Sequence, residues 1–77
     1  MKLTALFARN LRLCRQHRGL SQERLAVFAG LDRSYIGKLE RELSSPTLDA
    51  VEALSSAMQI DFEVLIRRQP PDAPKRN

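Results

Sequence analysis

Apolar residues along this chain return every three or four positions, and each apolar stretch is cut off by a short polar break. Leu3, Leu6 or Phe7, Leu11 and Cys14 share one face of a helix and predict a first element over about residues 4–18. Gly19 ends it. Between Ser21 and Arg41 the pattern predicts two short helices joined by a tight turn at Ala29-Gly30-Leu31. Ser21 and Asp32 stand at the two helix starts, where a side-chain oxygen can accept from open backbone N–H groups of the first turn. Leu20 with Leu25, and Leu31 with Ile36, flank those starts at the spacing of a hydrophobic staple. Gly30 falls where a chain leaving one helix and beginning another at a steep angle needs positive φ. These are the marks of a helix-turn-helix motif.

After Arg41, Glu42-Leu43-Ser44-Ser45-Pro46 reads as a loop. Thr47 then caps a fourth helix with the stripe Leu48, Val51, Leu54 and Ala57 or Met58. Asp61 caps a fifth, stapled by Ile60 and Leu65 and running to about Arg67. No stretch alternates with a period of two, so the expected fold is all-α: five helices, with the motif at the second and third. Residues 1–68 form one domain on this reading. Residues 69–77 carry three prolines and no apolar face, which predicts a disordered basic tail.

Wound at 3.6 residues per turn, the third helix separates into two faces. Ile36 and Leu39, with Leu43 beyond the helix, point inward; Arg33, Ser34, Gly37, Lys38 and Arg41 lie opposite. That outward face is polar, basic and short in the middle. Gly37 costs about 1 kcal/mol relative to alanine inside a helix. A close neighbour such as a DNA groove would account for it, and so would a tolerated flaw; the residues leave both open.

Charge sharpens the picture. The net +4 is unevenly spread: residues 1–24 carry +5, residues 25–66 carry −4 and residues 67–77 carry +3. Positive potential concentrated on the first helix, the outward face of the third and the tail suits a polyanionic partner. One cysteine and one histidine give no disulfide framework and no metal-ligand spacing, so neither a metal nor another cofactor is expected. Cys14 lies on the apolar stripe as a small buried hydrophobe. His17, beside Arg18 and Gly19, suits solvent or a phosphate. Neither a paired-carboxylate cleft nor a nucleophile with its base can be located, so an enzyme is the weakest reading. Leu3 to Ala8 is too short for a signal peptide and runs straight into Arg9; no membrane partner is expected. Nothing in the chain forms a receiving domain for a small-molecule ligand.

These residues together resemble the Cro and lambda-repressor type of helix-turn-helix domain, often called the xenobiotic response element family. The likeness runs through Arg12 and Arg15, Arg18-Gly19-Leu20-Ser21-Gln22, Leu25-Ala26, Ala29-Gly30-Leu31, Ser34-Tyr35-Ile36, Leu39-Glu40-Arg41 and Pro46-Thr47-Leu48, and covers roughly residues 8–66. The run Gly30-Leu31-Asp32-Arg33-Ser34-Tyr35-Ile36 is also similar to that in controller proteins of bacterial restriction-modification systems.

The resemblance implies a cytoplasmic, sequence-specific DNA-binding regulator of transcription, nucleoid-associated when bound. It implies a homodimer that reads an inverted repeat of double-stranded DNA through the major groove with the third helix. Arg33, Ser34 and Lys38 then fall on base-contacting positions, and Gln22, Tyr35, Arg41 and Arg12 suit phosphates. A core-packed Tyr35 is the competing reading. Arg15 and Glu40 match a structural ion pair between the first and third helices. Ile60, Phe62, Val64, Leu65 and Ile66 are more apolar than one side of a short last helix requires, which marks a dimer interface. Glu42 and Gln59 depart from the family pattern, since glycine is common at both places. Phe28 stands where a polar residue is usual. The alternative in a different class is an antitoxin or co-regulator whose primary partner is another protein, with Phe28 and the last helix carrying the function.

Overall fold

A computed structural model describes residues 1–71 of the chain. Four α-helices and a short 3-10 segment follow one another: α1 Leu3–His17, α2 Gln22–Ala29, α3 Arg33–Glu40, α4 Leu48–Met58 and the 3-10 segment Phe62–Ile66. No strand occurs among the described residues. Part of the tail expectation, residues 72–77, lies outside them. α1 packs on α3 and on the 3-10 segment, while α2 is held between α3 and α4. One core results, built from Phe7, Leu11, Cys14, Leu25, Ala26, Ile36, Leu39, Val51, Leu54, Met58 and Leu65. Leu20, Leu31 and Ile60 pack against its edge, so both members of each staple pair meet the same core.

The helix starts divide into two kinds. Ser21 and Thr47 cap as expected: Ser21 Oγ accepts from Arg24 N–H and Thr47 Oγ1 from Ala50 N–H, each at 3.0 Å. Asp32 and Asp61 make no side-chain cap bond. The reason is local, because Tyr35 N–H donates to the Asp32 carbonyl at 3.1 Å and Val64 N–H to the Asp61 carbonyl at 3.0 Å. The amide that either carboxylate would have taken is already used in a tight 3-10 turn. After Asp61 that tightness persists, and the expected fifth α-helix is a five-residue 3-10 segment instead.

All four helices end alike. In each, the residue after the last turn is left-handed and two backbone bonds close over the terminal carbonyls in a Schellman motif. For α3 these bonds are Leu43 N–H to Lys38 carbonyl at 2.8 Å and Glu42 N–H to Leu39 carbonyl at 3.2 Å. For α4 they are Ile60 N–H to Ser55 carbonyl and Gln59 N–H to Ser56 carbonyl, both at 3.0 Å. Gly19 (φ 67°) and Gly30 (φ 70°) fill the left-handed position after α1 and α2, but Glu42 (φ 64°) and Gln59 (φ 58°) fill it after α3 and α4. The fold imposes the same geometry with or without glycine, and the two larger residues carry a steric cost of about 1–2 kcal/mol. Glu42→Gly is therefore expected to stabilise the protein by about 1 kcal/mol. Urea denaturation of the variant checks this, and an unchanged midpoint would show that the turn is not strained.

Three leucines expected on buried stripes are exposed: Leu3, Leu43 and Leu48, the last at 87%. Leu3 and Leu48 are the first residues of their helices. A helical side chain covers the turn N-terminal to its own Cα, and at a first residue no such turn exists. Leu43 lies beyond the left-handed Glu42, which swings the chain off the helix axis.

Asn10 was not singled out by the sequence pattern, yet it is fully buried. Its Nδ2 donates to the carbonyls of Val64 (3.2 Å), Leu65 (3.2 Å) and Arg67 (2.7 Å), and its Oδ1 accepts from Arg9 Nε at 3.0 Å. Arg9 Nη2 also donates to the Arg68 carbonyl at 2.7 Å. A 3-10 segment leaves end carbonyls without internal partners, and these two side chains of α1 satisfy them. They fix the segment against α1 and seat Leu65 in the core.

Candidate nucleic-acid interface

The orientation of α3 is set by one carboxylate. Glu40, at the last turn of α3, is buried, with its side chain 4% exposed. It accepts from Arg15 Nε at 2.7 Å and Nη2 at 3.0 Å, a two-pronged contact from α1. It accepts again from Gln22 Nε2 at 3.0 Å, at the first turn of α2. Arg15 Nη1 donates onward to the Leu20 carbonyl at 2.9 Å, tying in the link between α1 and α2. Three helices thus meet at one anion whose hydrogen-bonding capacity is well used, the condition under which a buried pair tolerates its desolvation. Among the described residues, no buried side-chain polar atom lacks a partner.

With α3 so held, Arg33, Ser34 and Lys38 all face solvent. None makes a hydrogen bond or ion pair with a described residue, so their donors are unspent. Tyr35 is half-buried: its ring packs against the core while its hydroxyl bonds to no described residue. Both earlier readings of Tyr35 are compatible with that placement. Arg12 is exposed and sends one donor to the Glu40 carbonyl at 3.5 Å, at the negative end of the α3 dipole. Its remaining donors stay available. Gln22 is half-buried, with one amide hydrogen committed to Glu40, while its backbone N–H lies at the start of α2, where anions are favoured.

Gly37 is not where the helical wheel put it. It belongs to the polar side of α3 by sequence, but it is buried. A Cβ at Gly37 would stand 3.5 Å from Arg41 Nη1 and 3.7 Å from Gln22 Oε1, both ordinary contacts. The neighbours are thus polar side chains of this chain, and Arg41 lies back along α3 over the glycine.

The expected dimer surface needs a larger correction. Leu65 is fully buried in the monomer core, and Ile60 and Val64 are half-buried against that core. Only Phe62 (57% exposed) and Ile66 (43% exposed) of the five present substantial apolar surface. Phe62 opens the 3-10 segment and stays exposed, whereas Leu65 lies where the Asn10 amide holds the segment against α1 and is buried. Leu48 joins the exposed set from across a groove between α4 and the 3-10 segment, lined also by Val51, Ser55 and Ile60. Phe28 and Val27 form a separate exposed pair on α2, and Arg24 lies over the Phe28 ring, 5.5 Å from its centroid. No group of acidic, histidine or cysteine side chains among the described residues is arranged to hold a metal ion, and no described helix is long and apolar enough to cross a membrane.

Comparison with known proteins converges on the same architecture. The family model described as Helix-turn-helix (HTH_3) matches residues 11–65. Control protein C.SmaI of Serratia marcescens is 38% identical over 69 residues, covering 90% of this chain and 82% of that protein. The crystal structure of the restriction-modification controller protein C.AhdI from Aeromonas hydrophila superposes with a TM-score of 0.78 at 40% identity, covering 80% of this chain and 94% of that one. A hypothetical transcription factor from Neisseria superposes with a TM-score of 0.83 at 37% identity, covering 92% of this chain and 79% of the other.

Proposed function

Because this chain belongs to the HTH_3 helix-turn-helix family, and is a sequence-specific DNA-binding regulator of transcription, we propose that it acts as a homodimer on an inverted-repeat operator. The observation that carries the reading is the unspent outward face of α3. Arg33, Ser34 and Lys38 are exposed without partners on a helix that Glu40, Arg15 and Gln22 hold rigidly. Rigid presentation of free donors is what base-edge readout in the major groove requires. Arg33 reads guanine, since its planar fork matches O6 and N7; Ser34 and Lys38 add contacts within the same groove. Gln22, Tyr35, Arg41 and Arg12 hold backbone phosphates. The operator belongs to the control of a restriction-modification system, as the names of C.SmaI and C.AhdI suggest. No catalytic step and no cofactor enter this role, and the cytoplasm is its setting.

Dimerisation uses the exposed Leu48 and Phe62 at the α4 groove, together with the exposed Ile66 of the same 3-10 segment. Covering them would remove surface that a small domain otherwise leaves in water. A two-fold pair would set its two recognition helices about 34 Å apart, one turn of DNA. Selection from a random duplex pool at near-physiological salt tests the proposal. The expected product is an inverted repeat with half-sites about one turn apart. Recovery of no consensus by folded protein would sink it, and the exposed Val27 and Phe28 would then direct the search to a protein partner.

A further inference from the structure

We infer that Gly37 is a positioning residue for DNA binding: its missing side chain leaves a seat on α3 that holds the Arg41 guanidinium beside Gln22. The inference deepens the DNA-binding reading above and rests on it. A single line of contacts leads to this seat. Arg15 fixes Glu40, Glu40 fixes the Gln22 amide nitrogen at 3.0 Å, and the Gln22 amide oxygen then borders Gly37. From the other side Arg41, four residues on, leans back over the same glycine, as helical side chains do. Arg41 is exposed and makes no hydrogen bond or ion pair with any described residue, so on this inference the room left by Gly37 is what sets where its charge stands. An arginine loses considerable rotamer freedom on being ordered. Ordering it before DNA arrives reduces what binding must spend, which is the gain from a preorganised site.

The shape of the seat separates this role from a plain packing requirement. At 3.5 and 3.7 Å a Cβ alone would make ordinary contacts, so glycine is not needed there to avoid a clash. Nor does the backbone need it, because Gly37 lies inside α3 and is not among the positive-φ residues. By propensity almost any other residue would make a better helix. What only a small residue preserves is room for the guanidinium and the amide together, and a longer side chain would fill that room and move Arg41 away from Gln22.

Gly37→Gln tests this, because glutamine is a strong helix former and places a polar side chain among the polar groups of Gln22 and Arg41. Its melting temperature is expected to equal or exceed that of the wild type. On the duplex recovered from the selection, affinity should fall about tenfold, the scale of one charge-assisted hydrogen bond. The slope of log affinity against log salt should become shallower by about 0.9, the loss of one phosphate contact. Arg41→Ala should show the same loss of slope, and Gly37→Gln added to Arg41→Ala should cost nothing further. Unchanged affinity and slope in Gly37→Gln would overturn the assignment. So would an equal additional loss in the Arg41→Ala background, since the new side chain would then be meeting DNA itself, and so would a lowered melting temperature, which would make Gly37 a packing residue. A wild-type protein that selects no duplex removes the underlying reading, and that result is seen before any variant is made.

Discussion

Arg15→Ala is expected to lower the unfolding free energy by about 3–5 kcal/mol. The Arg15 and Glu40 side chains are 13% and 4% exposed, so the truncation strands a carboxylate where water barely reaches it. Gln22 alone cannot replace a bidentate guanidinium, because a neutral amide offers a weaker bond and no charge. In a domain this small each kcal/mol corresponds to roughly 4–8 °C, so the melting temperature should drop by well over about 10 °C. Urea denaturation measures the loss directly; a change below about 1 kcal/mol, the scale of a solvated surface pair, would mean the pair is not buried in solution. A second variant separates stability from function. Replacing both partners together, Arg15→Met with Glu40→Leu, should recover much of the stability, since apolar side chains of similar size often substitute for a buried pair without loss. It should not recover DNA affinity, because Gln22 loses the acceptor that orients it and α3 loses its link to α2.

Arg33→Ala is expected to weaken operator binding by about 1–3 kcal/mol and to relax discrimination at one base pair of each half-site. Folding should be unaffected, since Arg33 is exposed at the first position of α3 and contacts no described residue. Competition between the selected duplex and versions altered at single positions reads out the effect. Two results are distinguishable by their shape. Selectivity lost at one position identifies a base contact; an equal drop for every sequence, with a shallower salt dependence, identifies a phosphate contact and overturns the assignment. Lys38, one turn further along the same face, has a single flexible ammonium, so its truncation should discriminate less sharply.

Much of the fold could be read from local signals. The hydroxyls of Ser21 and Thr47 cap, Gly19 and Gly30 end helices in left-handed turns, and the staple leucines and isoleucines meet the core. In each case a handful of adjacent residues decides the geometry. The errors arise where the deciding partner is distant or where two backbone outcomes lie close together. Asp32 looks like a cap, but the competing 3-10 bond from Tyr35 N–H takes the amide, and no pattern of side chains announces that choice. Asn10 carried a usable signal: a polar, poor helix former sits on the apolar stripe, three residues after Phe7 and four before Cys14. Such a residue needs a buried partner, although its spacing does not say that the partner is the end of the 3-10 segment.

The candidate site divides the same way. Which residues of α3 face outward follows from 3.6 residues per turn and the need to bury Ile36 and Leu39, and both are fully buried. That Arg33, Ser34 and Lys38 are unpartnered donors could not be read so, because a helical wheel cannot exclude a neighbour from another helix. Gly37 shows the point, placed outward by the wheel and covered by Gln22 and Arg41 in three dimensions. The last element shows it again, since Leu65 is buried where the segment is held against α1 by Asn10 while Phe62, Ile66 and the distant Leu48 stay exposed. By itself, then, the sequence determined what depends on neighbours along the chain: helical period, the two glycine helix stops, two of the caps, and the charge of the outward face. The tertiary structure alone decided what depends on neighbours across it: which apolar residues stay exposed, that one carboxylate joins three helices, and where the free guanidinium of Arg41 stands. Local propensities differ by about 1 kcal/mol or less per residue, whereas stranding a buried charge costs several, so the long-range contacts have the final word wherever the two compete.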